Sequence, residues 1–283
     1  MDSIGKCFEN LEKKNIKKAI EYGKIAIREY PDDFEPHLCL AIAYRETGEL
    51  DLAYKHLLTA EELADNKEDL MFICDQIGQI LSEIDQFDDA IFYYKRAYNL
   101  AKELNQLEEN THILSNLADA HIKKGEVEKA KEYLEIALEI EKKEENLANI
   151  YSSAGVIYSS LGNHQKAIEY LEKAMEINKK YDNKKAIIAN KINIGSVYTE
   201  AGEYEKAEKY ITEGTEDAKK IGDRYWQAIG YWSLGKLYKK NGNKKKAEEY
   251  LRRAFKLFKI IGATKDAELI ILDMLELLKN TNT

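Results

Sequence analysis

AIGYWSLGKLYKKNGNKKKAEEYLRRA, residues Ala228–Ala254, holds one complete structural unit, and the rest of the chain is read from it. Tyr231, Leu234, Gly235 and Tyr238 lie at i, i+3, i+4 and i+7, which is one face of a helix. Asn241-Gly242-Asn243 is a turn, and Ala247, Leu251 and Ala254 make the apolar face of a second helix. The small residues Gly235 and Ala247 mark where the two helices cross. A larger side chain at either would overpack the pair at a cost of about 1–3 kcal/mol. Aligned on Ala247, the chain shows the same small residue at Ala19, Ala53, Ala90, Ala130, Ala167 and Ala207, at spacings of 34, 37, 40, 37, 40 and 40. Self-similarity at that period predicts a solenoid of stacked helical hairpins.

The unit recurs in LAIAYRETGELDLAYKHLLTA (40–60), IGQILSEIDQFDDAIFYYKRA (77–97), LADAHIKKGEVEKAKEYLEIA (117–137), AGVIYSSLGNHQKAIEYLEKA (154–174) and IGSVYTEAGEYEKAEKYITEG (194–214). It resembles the tetratricopeptide repeat, whose signature places a large residue, Leu-Gly and Tyr on helix A and Ala, an aromatic or Leu, and Ala on helix B. The resemblance implies an all-α fold, a right-handed α-α superhelix. Seven repeats are expected at about 1–31, 34–65, 70–104, 110–144, 147–181, 187–221 and 225–261, forming one domain closed by a C-terminal helix over 264–279. Repeat 1 is degraded: Ile4, Cys7, Phe8 and Leu11 give helix A, and its turn at Lys14-Asn15 looks one residue short. Inserts such as Leu104–Leu107, Lys142–Glu145, Lys180–Asn183 and Gly222–Arg224 lengthen the later repeats by about one helical turn. That longer form is similar to the repeats of kinesin light chain, the spindle-orientation adaptors and the bacterial peptide-pheromone receptors, all of which bind peptides or extended protein segments.

Composition narrows the field. A chain of 283 residues with two prolines, 33% charged and 44% hydrophobic residues suits amphipathic helices throughout. No stretch approaches the roughly 20 apolar residues of a membrane span, and the N-terminus lacks a basic flank followed by an apolar run. A cytoplasmic location without membrane contact is therefore expected. Cys7, Cys39 and Cys74 lack CxxC spacing and fall on apolar helix faces, so they are expected to be buried thiols. The net charge of −8 hides a basic segment. Lys236–Lys259 carries ten Lys or Arg against Glu248 and Glu249, a solvated basic face or a pole that orients an acidic partner. The acidic remainder argues against nucleic acid.

The resemblance places helix A on the concave wall, so binding residues are sought on helix A beside the packing face. That wall presents Asp75, Gln76, Gln79 and Ser82; Ser115, Asn116 and Asp119; Asn149, Ser152 and Ser153; Asn193, Ser196 and Thr199; and Trp232, Ser233, Lys236 and Lys239. The position two before the small residue carries Gln76, Asn116, Ser153, Asn193 and Ser233. A side-chain amide offers a donor and an acceptor, which suits a peptide backbone of any sequence. In the similar receptors Asn at this position grips the ligand main chain, which the resemblance carries over to Asn116 and Asn193. The alternative is that these residues bridge adjacent helices. Trp232, with Lys236 and Lys239 one and two turns on, would anchor an apolar residue followed by acidic ones. Tyr231 is assigned to the core, and Trp226 fits either role.

Catalytic and metal chemistry find no support. His37, His56, His112, His121 and His164 are scattered without HExxH spacing. GYWSLGKL (230–237) matches GxxxxGK but has Leu237 where a phosphate loop needs Ser or Thr, and it lies inside a helix. No carboxylate pair is placed for acid-base work, and no cofactor is implied. The Lys and Asn clamp of cochaperones that hold chaperone tails is not supplied by any three successive repeats. The final helix is richer in apolar residues than a cap requires: Leu269, Ile270, Ile271, Leu272, Met274, Leu275, Leu277 and Leu278 are broken only by Asp273 and Glu276. Its surplus face either packs inward or pairs with a second copy. The leading expectation is a non-enzymatic scaffold or adaptor that binds an extended peptide or protein tail. The alternatives are a peptide-responsive regulator of the pheromone-receptor type, which normally has an effector domain ahead of its repeats, and a structural subunit that self-associates through the C-terminal helix.

Overall fold

The computed structural model describes residues 2–279, with side chains through Leu277. Met1, residues 280–283 and the side chains of Leu278 and Lys279 lie outside the described residues. The described chain forms fifteen α-helices and contains no strand. No helix in it is long and apolar enough to cross a membrane. It divides into two compact units, one ending at Glu141 and the other beginning at Lys142.

The first unit holds four hairpins: α1 (Ser3–Glu12) with α2 (Ile16–Glu29), α3 (Glu35–Glu46) with α4 (Leu50–Leu63), α5 (Lys67–Glu83) with α6 (Phe87–Glu103), and α7 (His112–Lys123) with α8 (Val127–Ile140). The second holds three: α9 (Glu144–Ser160) with α10 (His164–Lys180), α11 (Lys184–Glu200) with α12 (Tyr204–Lys220), and α13 (Arg224–Lys240) with α14 (Lys244–Ile261). There α15 (Thr264–Lys279) follows.

The hairpins close where the alanine spacing places them. Ala19, Ala53, Ala90, Ala130, Ala167, Ala207 and Ala247 are all fully buried. Their partners across the crossing are small because no room is left. A Cβ on Gly235 would stand 2.7 Å from Leu251 Cδ2, and one on Gly78 2.6 Å from Tyr94 Cδ1. Both are closer than carbon atoms approach. One turn further on, a ring of helix A stacks on a ring of helix B: Tyr44 on His56, His121 on Tyr133, Tyr158 on Tyr170 and Tyr238 on Tyr250, with centroids 5.4–5.6 Å apart. Lysine reinforces two of these pairs, Lys166 lying 4.2 Å from the Tyr158 centroid and Lys246 4.5 Å from that of Tyr238.

Three sequence expectations change. The turn of repeat 1 is of ordinary length: Lys14 takes a left-handed φ of 56° at the position where Gly48 and Gly242 take 79° and 77° in their repeats. The insert at 104–107 does not heighten hairpin 4. While α5, α6 and α9 to α13 run 17 residues, α7 has only 12 and α8 only 14. Asn110 Nδ2 donates to Gln106 O at 2.8 Å, closing a side-chain turn that competes with another helical turn. Thr111 then hydrogen-bonds the buried Glu141 and pins the start of α7. Finally, the cysteines are buried as expected, but Cys7 and Cys39 are joined by a disulfide across Cα atoms 6.4 Å apart. Only Cys74 is a free thiol, and burial pushes its pKa up to about 11.

Candidate functional site

Each unit has its own wall of A helices, and the two differ. In the first unit the wall is α3, α5 and α7, centred on Asp75, whose carboxylate is almost completely buried at 2% exposure. It accepts from Gln79 Nε2 at 2.6 Å and from Asn116 Nδ2 at 2.9 Å, with His112 Nε2 3.5 Å away. Gln76 Nε2 lies 3.5 Å from the same carboxylate, at the limit of a hydrogen bond. Gln79 Oε1 in turn accepts from Arg45 Nη1 at 2.6 Å, and Arg45 pairs with Glu83. A buried carboxylate is tolerated when such donors surround it. The donors come from α5 and α7, and Arg45 extends the network to α3 through Gln79. Gln79 and Asn116 are therefore bridging residues in this structure, and Asp119 lies exposed beside them.

In the second unit the bridging is done one turn away from the predicted row. Buried Asn190 accepts from Asn178 Nδ2 at 3.2 Å and donates to Ser152 Oγ at 3.0 Å, tying α11 to both α10 and α9. The burden of joining helices falls on Asn190, so Asn193, three residues on, is left out of it. Asn149, Ser153, Asn193 and Ser233 have no side-chain hydrogen-bond partner among the described residues. Asn149 is exposed and the other three are half-buried. Ser196 instead donates to Ile192 O in its own helix at 3.0 Å. Val156, one after Gly155 in the row of Ser196 and Lys236, is exposed.

The far end of this wall is partly occupied by α15. Trp232 Nε1 donates to Asp273 Oδ2 at 2.7 Å, and its ring packs edge-on against Phe258 at 6.3 Å. Lys239 Nζ donates to Asp273 Oδ1 at 3.0 Å and to Glu276 Oε2 at 2.6 Å. Burial pulls the Lys239 ammonium down, but the two carboxylates outweigh it and hold it above the usual lysine range. Lys236 Nζ sits 3.9 Å over the centre of the Trp232 ring. Crowding by its neighbours lowers its pKa, although the side chain still reaches solvent. Thus Lys239 is already neutralised, whereas Lys236 has its charge on an aromatic face. Trp226 fills space against Ile188, Ile192, Ala218 and Ile229, and Tyr231 packs in the core as assigned.

The −3 and −2 positions of successive A helices form a recurring contact. Asp75 with Asn116 and Trp232 with Asp273 are each 41 residues apart and each joins neighbouring A helices. By this register α15 behaves as another helix A. Ala267, Ile270, Met274 and Leu277 pack onto α13 and α14, while Leu269, Ile271, Leu272 and Leu275 stay exposed. Leu275 stands where the preceding A helices have Gly235, Gly195 and Gly155. Two surface hollows involve other residues, one lined by residues 30–34 with Leu63 and Asp65 and another along α12 between Lys191 and Lys220.

A tetratricopeptide repeat profile matches residues 110–180 and 185–260, and a second one matches 73–104. The chain belongs to the tetratricopeptide repeat family. No curated protein matches its sequence. Among solved structures, the apo form of RapI is 16% identical and superposes with a TM-score of 0.80 over 92% of this tetratricopeptide repeat chain and 98% of that one. The Rap conjugation gene regulator of the plasmid pLS20, solved in complex with the Phr* peptide, is 19% identical with a TM-score of 0.68 over 94% and 75%. A chain of the APC/C hetero-tetramer Cut9-Hcn1 is 16% identical with a TM-score of 0.70 over 93% of this chain. This chain spans 48% of that one. At these identities the likeness is one of fold.

Proposed function

We propose that this chain is a cytoplasmic, non-enzymatic adaptor that holds an extended peptide or protein tail along the A-helix wall of its second unit. One observation carries the reading: Asn149, Ser153, Asn193 and Ser233 lie on three successive A helices with no hydrogen-bond partner among the described residues. Ser153, Asn193 and Ser233 are half-buried and Asn149 is exposed, and polar groups left open in this way have hydrogen-bonding capacity that a main chain can meet without regard to side chains. Lys236 over Trp232 gives the row a polarity, with an acidic residue or carboxylate favoured at the α13 end.

The first unit does not share this role in the reading, because Asp75 engages the amides of Gln79 and Asn116. The likeness to a Rap regulator solved with a peptide supports a second reading, in which the bound peptide shifts the arrangement of the hairpins. The exposed leucines of α15 support a third, pairing with a second copy of the chain.

Panning a random-peptide display library against the intact chain tests the first reading. The most enriched peptide, made synthetically, should bind at least tenfold more weakly to Asn193→Ala/Ser233→Ala by fluorescence anisotropy, with an unchanged Tm. Equal affinity for wild type and variant would overturn the reading. Scattering with and without that peptide tests the second, and a monomer at high micromolar concentration would exclude the third.

A further inference from the structure

Within each unit, successive A helices are tied by a polar rung. Arg45–Gln79 joins α3 to α5, Asp75–Asn116 joins α5 to α7, Asn190–Ser152 joins α11 to α9, Lys240–Glu200 joins α13 to α11, and Trp232–Asp273 joins α13 to α15. Between α1 and α3 the rung is covalent, the Cys7–Cys39 bond. Cys7 takes the small-residue slot of repeat 1, 34 residues before Ala41. Cys39 takes the row that carries Gln76, Asn116, Ser153, Asn193 and Ser233 elsewhere.

Few side chains at that joint are completely buried, although Phe8, Ile20 and Ile27 also lean on the neighbouring core around Leu40. The joint's own buried cluster consists of Cys7, Ala19, Cys39 and Ala43, with Phe8, Leu11 and Ile20 only partly covered. Besides Cys7, α1 buries a single apolar side chain, Ile4, in its ten residues. Later hairpins bury leucine, isoleucine and tyrosine at the corresponding places. A terminal hairpin in a repeat array has a neighbour on one side only, so its docking rests on that one interface.

We infer that Cys7–Cys39 is a redox-controlled latch: oxidised, it fixes the α1–α2 hairpin on α3, and reduced, it lets that hairpin loosen and uncover Leu40 and Ala43. The closing step is thiol–disulfide exchange with a small-molecule disulfide, RSSR. One cysteine thiolate attacks a sulfur of RSSR, forming a mixed disulfide and releasing RS⁻. The second thiolate attacks the protein sulfur of that mixed disulfide and releases the other RS⁻. Both leaving groups take up the protons the two thiols gave up. Two cysteines lose two electrons, and RSSR gains them as two RSH. Both sulfurs are fully buried, so exchange in either direction needs the hairpin to open first. Cys74 sits inside α5, away from this joint, and serves as an internal thiol reference.

The test uses the intact chain, one sample treated with oxidised glutathione and one with tris(2-carboxyethyl)phosphine. Alkylation and mass spectrometry should count one reactive thiol under denaturing conditions in the first and three in the second. Amide exchange in α1 and α2 should be at least tenfold faster in the reduced sample, with α5 to α8 unchanged. Cys7→Ala/Cys39→Ala should show the reduced pattern under both treatments. If that variant does not fold, the reduced wild type still carries the comparison. Three free thiols after glutathione treatment, or equal exchange of α1 and α2 in both states, would overturn the latch.

Discussion

The two units build similar hairpins but treat the amides on their A helices in opposite ways. In the first, a buried carboxylate, Asp75, gathers Gln79 and Asn116. In the second, Ser152 stands in the place of Asp75, and the bridge runs instead through Asn190, one turn earlier on α11. A serine hydroxyl accepts fewer bonds than a carboxylate, and it leaves Asn193 free. The residue at position −3 of one helix therefore decides whether the amide at −2 of the next is bonded within the fold or left without a partner among the described residues.

The contrast is broken most directly at its centre. Asp75→Ala removes the shared acceptor of Gln79 and Asn116 and should cost about 2–3 kcal/mol in urea unfolding, with faster amide exchange over α5 and α7. Acid should act next most strongly, also on the first unit. His37 and His56 face each other with Nδ1 atoms 3.0 Å apart, so one donates and the other accepts. Burial, with some repulsion from His37, lowers the pKa of His56 to about 4, and burial lowers that of His37. The unfolded chain, with histidine near 6.5, takes up protons first as the pH falls. Stability should be full above pH 6.5 and decline by about 1–2 kcal/mol towards pH 4, after discounting for solvent screening. His56→Phe should flatten that slope.

A smaller effect of opposite sign is expected at a turn. Asp85 adopts a left-handed φ of 63°, where most repeats have glycine, and Asp85→Gly should stabilise the chain by about 0.5–1 kcal/mol in a thermal melt. The smallest stability effect belongs to Asn193→Ala, less than about 0.5 kcal/mol, because no bond within the described chain is lost. If Asn193→Ala destabilised the protein as much as Asp75→Ala, the distinction between the walls would fall.

The fold was legible because hairpin crossings leave no freedom: a Cβ at Gly235 or Gly78 collides, so small residues recur at a spacing the eye can align. The rows of A-helix residues were legible from the same alignment. What each row does was not, since Asn116 and Asn193 occupy the same position and differ only in what lies beneath them some 40 residues earlier. Asp75 was in view, but its burial depends on packing from α3 and α7 that no local pattern encodes. The disulfide was missed for a related reason. The cysteines were judged by local motif spacing, whereas the bond joins the small-residue slot of one repeat to the −2 row of the next. The stacked ring pairs are legible by aligning Tyr44, His121, Tyr158 and Tyr238 against the aromatic three residues after each helix-B alanine. Trp232 could be assigned to helix A from the alignment, but not the bond of its indole to α15, which is made by a residue 41 positions away.

Leu275 bears on how such a chain can change in length. Every A helix that receives a partner of its own keeps a glycine, an alanine or, in α1, a cysteine there, and the bulk of Leu275 would hold a further helix B off at the distance where the others make contact. A duplicated 40-residue segment spliced between α12 and α13 would find matching surfaces on both sides, whereas the same segment joined after α15 would meet a face with no socket for it. The interior of the array thus offers sockets that α15, with Leu275 in that register, does not.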